Sequence, residues 1–326
     1  MNDSSNNGKS GGGDLLRVGD LLPAIAEKVK PLSPVAQRLV TMPVQDPDEV
    51  DILFQHSVLC QTCMPYRDPG DEVRAWQRKN GGIHLLIKAG EVMDPVQREF
   101  VNVGLPFGPK PRLVLYHLNA EALKTQSPVI ELDDSLTAFV KRTLGLDPKG
   151  RNIRIVKEQL SRLAAADFRL GASDGLRAVT VKGTVIKGLE LWTPRDARQK
   201  VLWPTTVQFS TDYFESLVNH AVPLDEAAVS RLSHSAMGLD IYTWMAQRLH
   251  RIDLKRPAFV PWVSLKEQFG QGYNAMNNFK RVFRSTLKQV HIVYREAKFS
   301  MNGKGMTLYQ SQPPVLKRYS IGRGRP

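Results

Sequence analysis

The stretch from Trp262 to Tyr309 constrains what this chain can fold into more tightly than any other. Val263-Ser-Leu-Lys-Glu-Gln-Phe269 has the spacing of a short apolar helix, and Gly270 closes it as a turn residue. A second helix is expected over about Asn274 to Val290, because Phe279, Val282, Phe283, Thr286, Leu287 and Val290 recur at i, i+3 and i+4. That stripe is the buried side. Asn277, Asn278, Lys280, Arg281, Arg284, Ser285 and Lys288 occupy the other positions without one carboxylate. His291 to Ser300 and Met306 to Ser311 have strand patterns, joined by Asn302-Gly303-Lys304-Gly305. An Asn-Gly pair between two such patterns predicts a type I′ hairpin, a turn that needs positive φ at both central residues.

Helix, turn, cationic helix and basic-tipped hairpin is the order of a winged helix. In that unit the second helix enters the DNA major groove and the hairpin touches the flanking backbone. Ordinary exposed helix faces mix Glu with Lys for i,i+4 support. This one carries only cations and amides, the groups that pair bidentately with guanine and adenine edges. Asn277, Asn278, Lys280, Arg281, Arg284 and Lys288 are therefore candidate DNA-binding residues, with Lys304 as a phosphate contact at the hairpin tip.

The same order recurs between Ile130 and Trp192. Asp134 or Ser135 caps a helix with Leu136, Phe139, Val140 and Leu144 on one face, and Gly145 ends it. A helix over about Asn152 to Ala166 buries Ile153, Val156, Leu160 and Leu163 and leaves Arg151, Arg154, Lys157, Glu158, Ser161 and Arg162 outside, a face that is mostly cationic. A strand at Phe168 to Gly171 and the alternating run Ala178 to Leu191 form a long wing bearing Lys182 and Lys187. The expected fold class is α+β with tandem winged-helix domains. The boundaries expected are a largely flexible tail with short helices over 1–45, a first winged domain over 46–200, a second over 201–316, and a basic flexible tail over 317–326.

Composition supports a polyanion partner. Among 326 residues the formal net charge is +13, which points to nucleic acid or an acidic membrane surface. No apolar run approaches the ~20 residues that span a bilayer, and no helix pairs its cations with an exposed apolar face. The N-terminal MNDSSNNGKSGGGD lacks the apolar core of a signal peptide. Two cysteines are too few for a disulfide framework and fit a reducing cytoplasm.

Motifs of chemistry are sparse. Gly8-Lys9-Ser10 lacks the earlier glycine and preceding strand of a phosphate-binding loop, since Asp3 stands where that glycine belongs. Cys60-Gln-Thr-Cys63 is half a zinc site, with His56 and His84 nearby, and is read as structural, so neither metal nor cofactor is expected. Trp76 to Gly82, with Asn80-Gly81-Gly82, is expected as a polar turn, and Ile83 to Lys88 and Phe100 to Val103 as strands around it. Leu113 to Lys124 and the spans Thr211 to Ala221 and Asp225 to Arg251 are expected as helices, and Val201 to Phe209 as strand-like. A nicking enzyme would need a tyrosine nucleophile beside clustered histidines. His220, His234, His250 and His291 are scattered instead, and Tyr242 and Tyr273 suit core or turn positions, so no enzyme is expected.

Several segments resemble the plasmid RepA-type replication initiators. They are Gly104-Leu-Pro-Phe-Gly-Pro-Lys-Pro-Arg112, Ser135 to Gly145, Glu158 to Leu163, Leu239-Asp-Ile-Tyr-Thr-Trp-Met-Ala-Gln-Arg248 and Trp262 to Gly270. The resemblance implies a cytoplasmic bacterial protein that binds iteron repeats in double-stranded DNA at a plasmid origin, opens adjacent AT-rich DNA and recruits the host helicase. It also implies a homodimer, formed through the first domain, that represses the protein's own gene. A winged-helix repressor that leaves the origin closed is the nearest alternative, and a nicking enzyme the more distant one.

Overall fold

The computed structural model describes residues 51–94, 97–173, 178–189 and 206–316. The chain divides after Met42, and all described residues belong to the second unit, Pro43–Pro326. The expected N-terminal tail with its helices, Gly8-Lys9-Ser10, the Val201 to Pro204 segment and the basic residues from Lys317 onward lie outside them.

The N-terminal half runs β1 (Ile52–His56), α1 (Ser57–Gln61), β2 (Ala75–Asn80), β3 (Ile83–Lys88), β4 (Glu91–Asp94) and β5 (Glu99–Asn102). There follow α2 (Pro109–Thr125), β6 (Val129–Glu131), α3 (Leu136–Ala138) with a π-helical turn at Phe139–Thr143, α4 (Gly150–Ala165), β7 (Asp167–Ser173), β8 (Ala178–Thr184) and β9 (Ile186–Leu189). The rest is β10 (Thr206–Phe209), α5 (Thr211–His220), β11 (Ala221–Asp225), α6 (Glu226–Leu232) and α7 (Ala236–Arg248). The chain then continues through β12 (Ala258–Pro261), α8 (Trp262–Phe269), α9 (Met276–Val293), β13 (Phe299–Met301) and β14 (Gly305–Leu308).

Helices and small antiparallel sheets are thus mixed along the chain. The sheet orders among described residues are β2-β3-β7-β8, β6-β10-β9, β12-β14-β13, β1-β11 and β4-β5. Strand pairing crosses residue 200 three times: β10 joins β6 and β9, and β1 pairs β11 from Ile52↔Asp225 to His56↔Ala221.

Local chemistry sets the helix ends. Ser135, Ser210, Asp225 and Ser235 each accept a backbone N–H from the first turn of α3, α5, α6 and α7 through their side chains. Gly108, with φ +77, delivers the chain into α2, whose first residue is Pro109.

Several expectations are corrected. Trp76 to Asn80 is a strand, paired with β3 across a turn at Gly81 (φ +57), and only Gly81-Gly82 turns. Asp225 to Arg251 is not one helix: Asp225 ends a strand and caps α6, and Ser235 starts α7 afresh. His291 to Val293 continue α9, because the ladder runs on to Tyr294 N–H on Val290 O (2.9 Å), so the strand shrinks to β13. The Asn302-Gly303 turn is not type I′. Neither residue has positive φ; Asn302 Oδ1 instead accepts the N–H groups of Lys304 (2.8 Å) and Gly305 (3.0 Å), an Asx turn.

One buried charge pair joins the halves. Arg112 of α2 and Asp240 of α7 are 1% and 5% exposed, and Arg112 Nε and Nη2 each donate to an Asp240 carboxylate oxygen at 2.7 Å. The remaining guanidinium N–H groups donate to the carbonyls of Gly108 (2.6 Å), Met64 (2.8 Å) and Pro65 (3.4 Å). All five donors are used, the condition under which a buried ion pair is tolerated. A second buried network has Asn119 of α2 donating to Phe54 O and Gln55 Oε1 of β1, and accepting from the Tyr213 hydroxyl of α5. Beside it, His56 Nδ1 accepts Val58 N–H, so the proton sits on Nε2, facing Ser216 Oγ at 2.9 Å. Burial, then the charge of His220, lowers His56 to about 3, and burial lowers His117 to about 4.

Removing one partner of the central pair, as in Asp240→Ala, is expected to cost about 3–5 kcal/mol in urea denaturation. Arg112→Met with Asp240→Leu should cost clearly less; equal losses would mean the pair does not act as a unit. The histidines carry a sign. Unfolded chains protonate them near 6.5 while the folded protein resists to about 3 and 4, so stability should fall as pH drops below 6.5. The slope for each is up to about 1.4 kcal/mol per pH unit, and a flat profile from pH 6.5 to 5 would contradict the buried neutral pair.

Candidate nucleic-acid interface

The helix α9 divides its residues by face. Phe279, Phe283, Thr286, Leu287 and Val290 are buried, while Asn277, Asn278, Arg281, Arg284, Ser285 and Lys288 are exposed and Lys280 half-buried. An aromatic cluster seats the buried side. Phe283 meets Phe269 of α8 at 5.7 Å and Phe279 at 5.5 Å between centroids, and Phe269 meets Trp244 of α7 edge-on at 5.3 Å. The exposed side is electrostatically open: no ion pair among the described residues includes Lys280, Arg281, Arg284 or Lys288. Arg281 Nη2 donates to Asn278 Oδ1 (2.8 Å), which aligns an amide and a guanidinium on one ridge.

Trp262 organises this surface, and sequence reasoning assigned it no role there. It is buried, edge-on to Phe279 and Phe283, with Lys280 Nζ and Arg284 Cζ at 5.4 Å and 5.1 Å from its ring centroid. Its Nε1–H donates to Asn302 O (3.0 Å), and its backbone N–H donates to Lys304 O (3.1 Å). One indole therefore couples the two cations of α9 to the hairpin tip that carries exposed Lys304. The available signal was a tryptophan opening the short apolar helix that leads into the cationic one.

The earlier cationic helix stands differently. Arg151 and Arg154 of α4 are exposed, and Lys157 and Ser161 are half-buried. Arg154, Lys157 and Ser161 share a cleft of about 480 Å³ with Asp71, Asn102 and Gly104, so the structure does bring them together. Arg162 is committed within the protein. It pairs with Glu158 (2.9 Å), Asp68 (3.4 Å) and Asp71 (4.0 Å), donates to Leu105 O (3.2 Å), and lies over the Phe107 ring. Lys182 and Lys187 fall on β8 and β9, and their side chains lie outside what is described.

Cys60 and Cys63 are both buried free thiols, pushed up by burial and then by the Asp240 carboxylate, and Tyr66 donates to Cys63 Sγ at 3.5 Å. Among the described residues no group of three or more His, Cys, Asp or Glu could hold a metal ion. Tyr242 is wholly buried, its hydroxyl accepting Asp225 N–H (3.0 Å), a core position. No helix among the described residues is long and apolar enough to cross a membrane.

Comparison with known proteins supports the family resemblance. Residues 105–262, which hold Arg112, α4 and Asp240, match the family model described as "Plasmid encoded RepA protein". No curated protein matches the chain. Among solved structures, a crystal structure of RctB domains 2–3 aligns with a TM-score of 0.46 at 10% identity, covering 77% of this chain and 94% of that one. A selenomethionine derivative of the same two domains gives 0.46 and 10% over 78% and 96%. Both likenesses are distant.

Trp262→Phe keeps a ring against Phe279 and Phe283 but removes the bond to Asn302 O and part of the buried ring, at an expected cost of about 1–2 kcal/mol in urea denaturation. Trp262→Ala also opens a cavity and should cost about 3–5 kcal/mol. Similar losses for both would mean that the indole N–H, rather than ring packing, holds the site.

Proposed function

We propose that this chain, which over residues 105–262 belongs with the plasmid-encoded RepA proteins, is a non-enzymatic replication initiator that grips origin DNA through two winged helices. The observation that carries the reading is the unpaired cationic face of α9, backed by Trp262 and next to the β13-β14 hairpin. The order α7-β12-α8-α9-β13-β14, with β14 lying between β12 and β13, supports a winged helix there. The order α2-β6-α3-α4-β7-β8 supports an earlier copy, in which β10 takes the place beside β6.

In this reading α9 lies in a major groove and presents Asn277, Asn278, Arg281 and Arg284 to base edges, with Lys280 and Lys288 toward the backbone. Lys304 holds a phosphate from the wing tip. Arg151, Arg154, Lys157 and Ser161 of α4 serve a second, weaker contact, since Asp71 and Glu158 line the cleft that Arg154, Lys157 and Ser161 share. Lys182 and Lys187 would serve on the first wing. Arg162 supports that helix from within and is dropped as a DNA contact. Linking two readers makes the second contact intramolecular and raises avidity. The repeats bound are iterons, and occupancy opens the adjacent AT-rich duplex and recruits the host helicase. Dimerisation through the first domain, with repression of the protein's own gene, belongs to the same proposal.

Arg284→Ala is expected to cost about 1–3 kcal/mol of binding and to relax base preference, while Lys304→Ala weakens all sequences alike. Equal losses on specific and random duplex for both variants would remove base reading by α9. On supercoiled origin DNA, permanganate-reactive thymines should appear beside the bound repeats. A duplex that stays closed under saturating protein would leave a repressor instead.

A further inference from the structure

The fold leaves a cation on β2 without a counter-charge. Arg78 Cζ lies 4.0 Å from the Trp76 ring centroid, and its Nε is buried with no hydrogen-bond partner. No ion pair among the described residues includes it. Arg74, earlier on the same segment, shows the contrast: it donates to Val103 O (2.8 Å), Gly90 O (3.0 Å) and Ala89 O (3.1 Å). A guanidinium that is partly desolvated and unpaired is costly unless an anion completes it.

Arg78 faces a place suited to one. With Lys266, the Gly270–Gly272 turn and Met276 it lines a cleft of about 490 Å³ between β2 and the start of α9. Met276 is the first residue of α9, and Ala275 at the N-cap has no side chain to accept the first-turn N–H groups. Those groups and the helix dipole favour an anion. Lys266 is held nearby, its Nζ donating to Asn274 O at 2.9 Å. Glu267 also lines the cleft, but it is exposed and solvent screens its repulsion.

We infer that this cleft seats a backbone phosphate of the duplex that α9 enters, so that β2, from the N-terminal half, clamps DNA for the C-terminal reader. The inference rests on the DNA-reading role proposed for α9. Asn277 and Asn278, the residues of α9 next after Met276, then meet bases beside a phosphate fixed by Arg78, Lys266 and the amides of α9. A phosphodiester is the chemistry recognised, and it carries no sequence information.

The test is the salt dependence of binding, read by fluorescence anisotropy with the full chain on duplex from the replicon that encodes it and on a mixed-sequence duplex. Arg78→Gln is expected to weaken both several-fold and to lower the slope of log K against log salt by about one. Arg78→Lys should restore the slope, and the melting temperatures should match the parent. A parental slope for Arg78→Gln, while Arg284→Ala still weakens the replicon duplex, overturns this inference alone. If neither variant weakens binding, the DNA-reading role of α9 falls with it. A loss that follows the melting temperature and is not restored by lysine makes Arg78 structural and also overturns the inference.

Discussion

The Arg112–Asp240 pair is the contact on which the arrangement of this molecule depends. Each partner sits on the helix that precedes one cationic unit: Arg112 on α2, which packs against α4, and Asp240 on α7, which packs against α9. Two charges out of water are costly, and here the cost is offset by a bidentate bond and carbonyls from Met64, Pro65 and Gly108. The positive φ of Gly108 is what turns its carbonyl toward the guanidinium at the start of α2. Fixed donors and acceptors set one register, and with it the placement of the surfaces beyond.

Charge sign was informative only where pairing agreed with it. Both α4 and α9 look cationic in sequence, yet they differ in the fold. On α9 the nearest groups are amides and an indole, so its field points outward. On α4, Asp68 and Asp71 fold back onto Arg162 and turn part of the face into an internal clamp. A methyl at Gly104 would meet the Arg162 guanidinium, so the loop passes close to that side chain. Unequal exposure of cations is the physical basis for proposing α9 ahead of α4 as a DNA contact.

The sequence revealed the elements whose signals are local. The i, i+3, i+4 stripe of α9, the Gly270 stop and the basic hairpin are all readable within a few residues. Strands that exist through remote partners were not. Ala221–Asp225 and Ala258–Pro261 are short and contain proline, and they become strands because β1 and β14 supply their hydrogen bonds. His291 to Val293 misled in the other direction: Ile292 and Val293 favour strands, but Tyr294 N–H on Val290 O carries the helix past them. Arg162 and Trp262 are tied down chiefly by remote residues: Asp68 and Asp71 in one case, Asn302 and Lys304 in the other, which helix-face arithmetic does not reach; only Glu158, one turn before Arg162, lay within its range.

The central claim is that the open cationic face of α9 meets duplex DNA. Hydrogen exchange of the full chain with and without duplex from its own replicon addresses it most directly. The account predicts new protection over the first three turns of α9 and at the Asn302 to Gly305 turn, with a smaller effect on α4. Protection confined to segments away from α9 and that turn, under conditions where the chain is saturated with DNA, would contradict it.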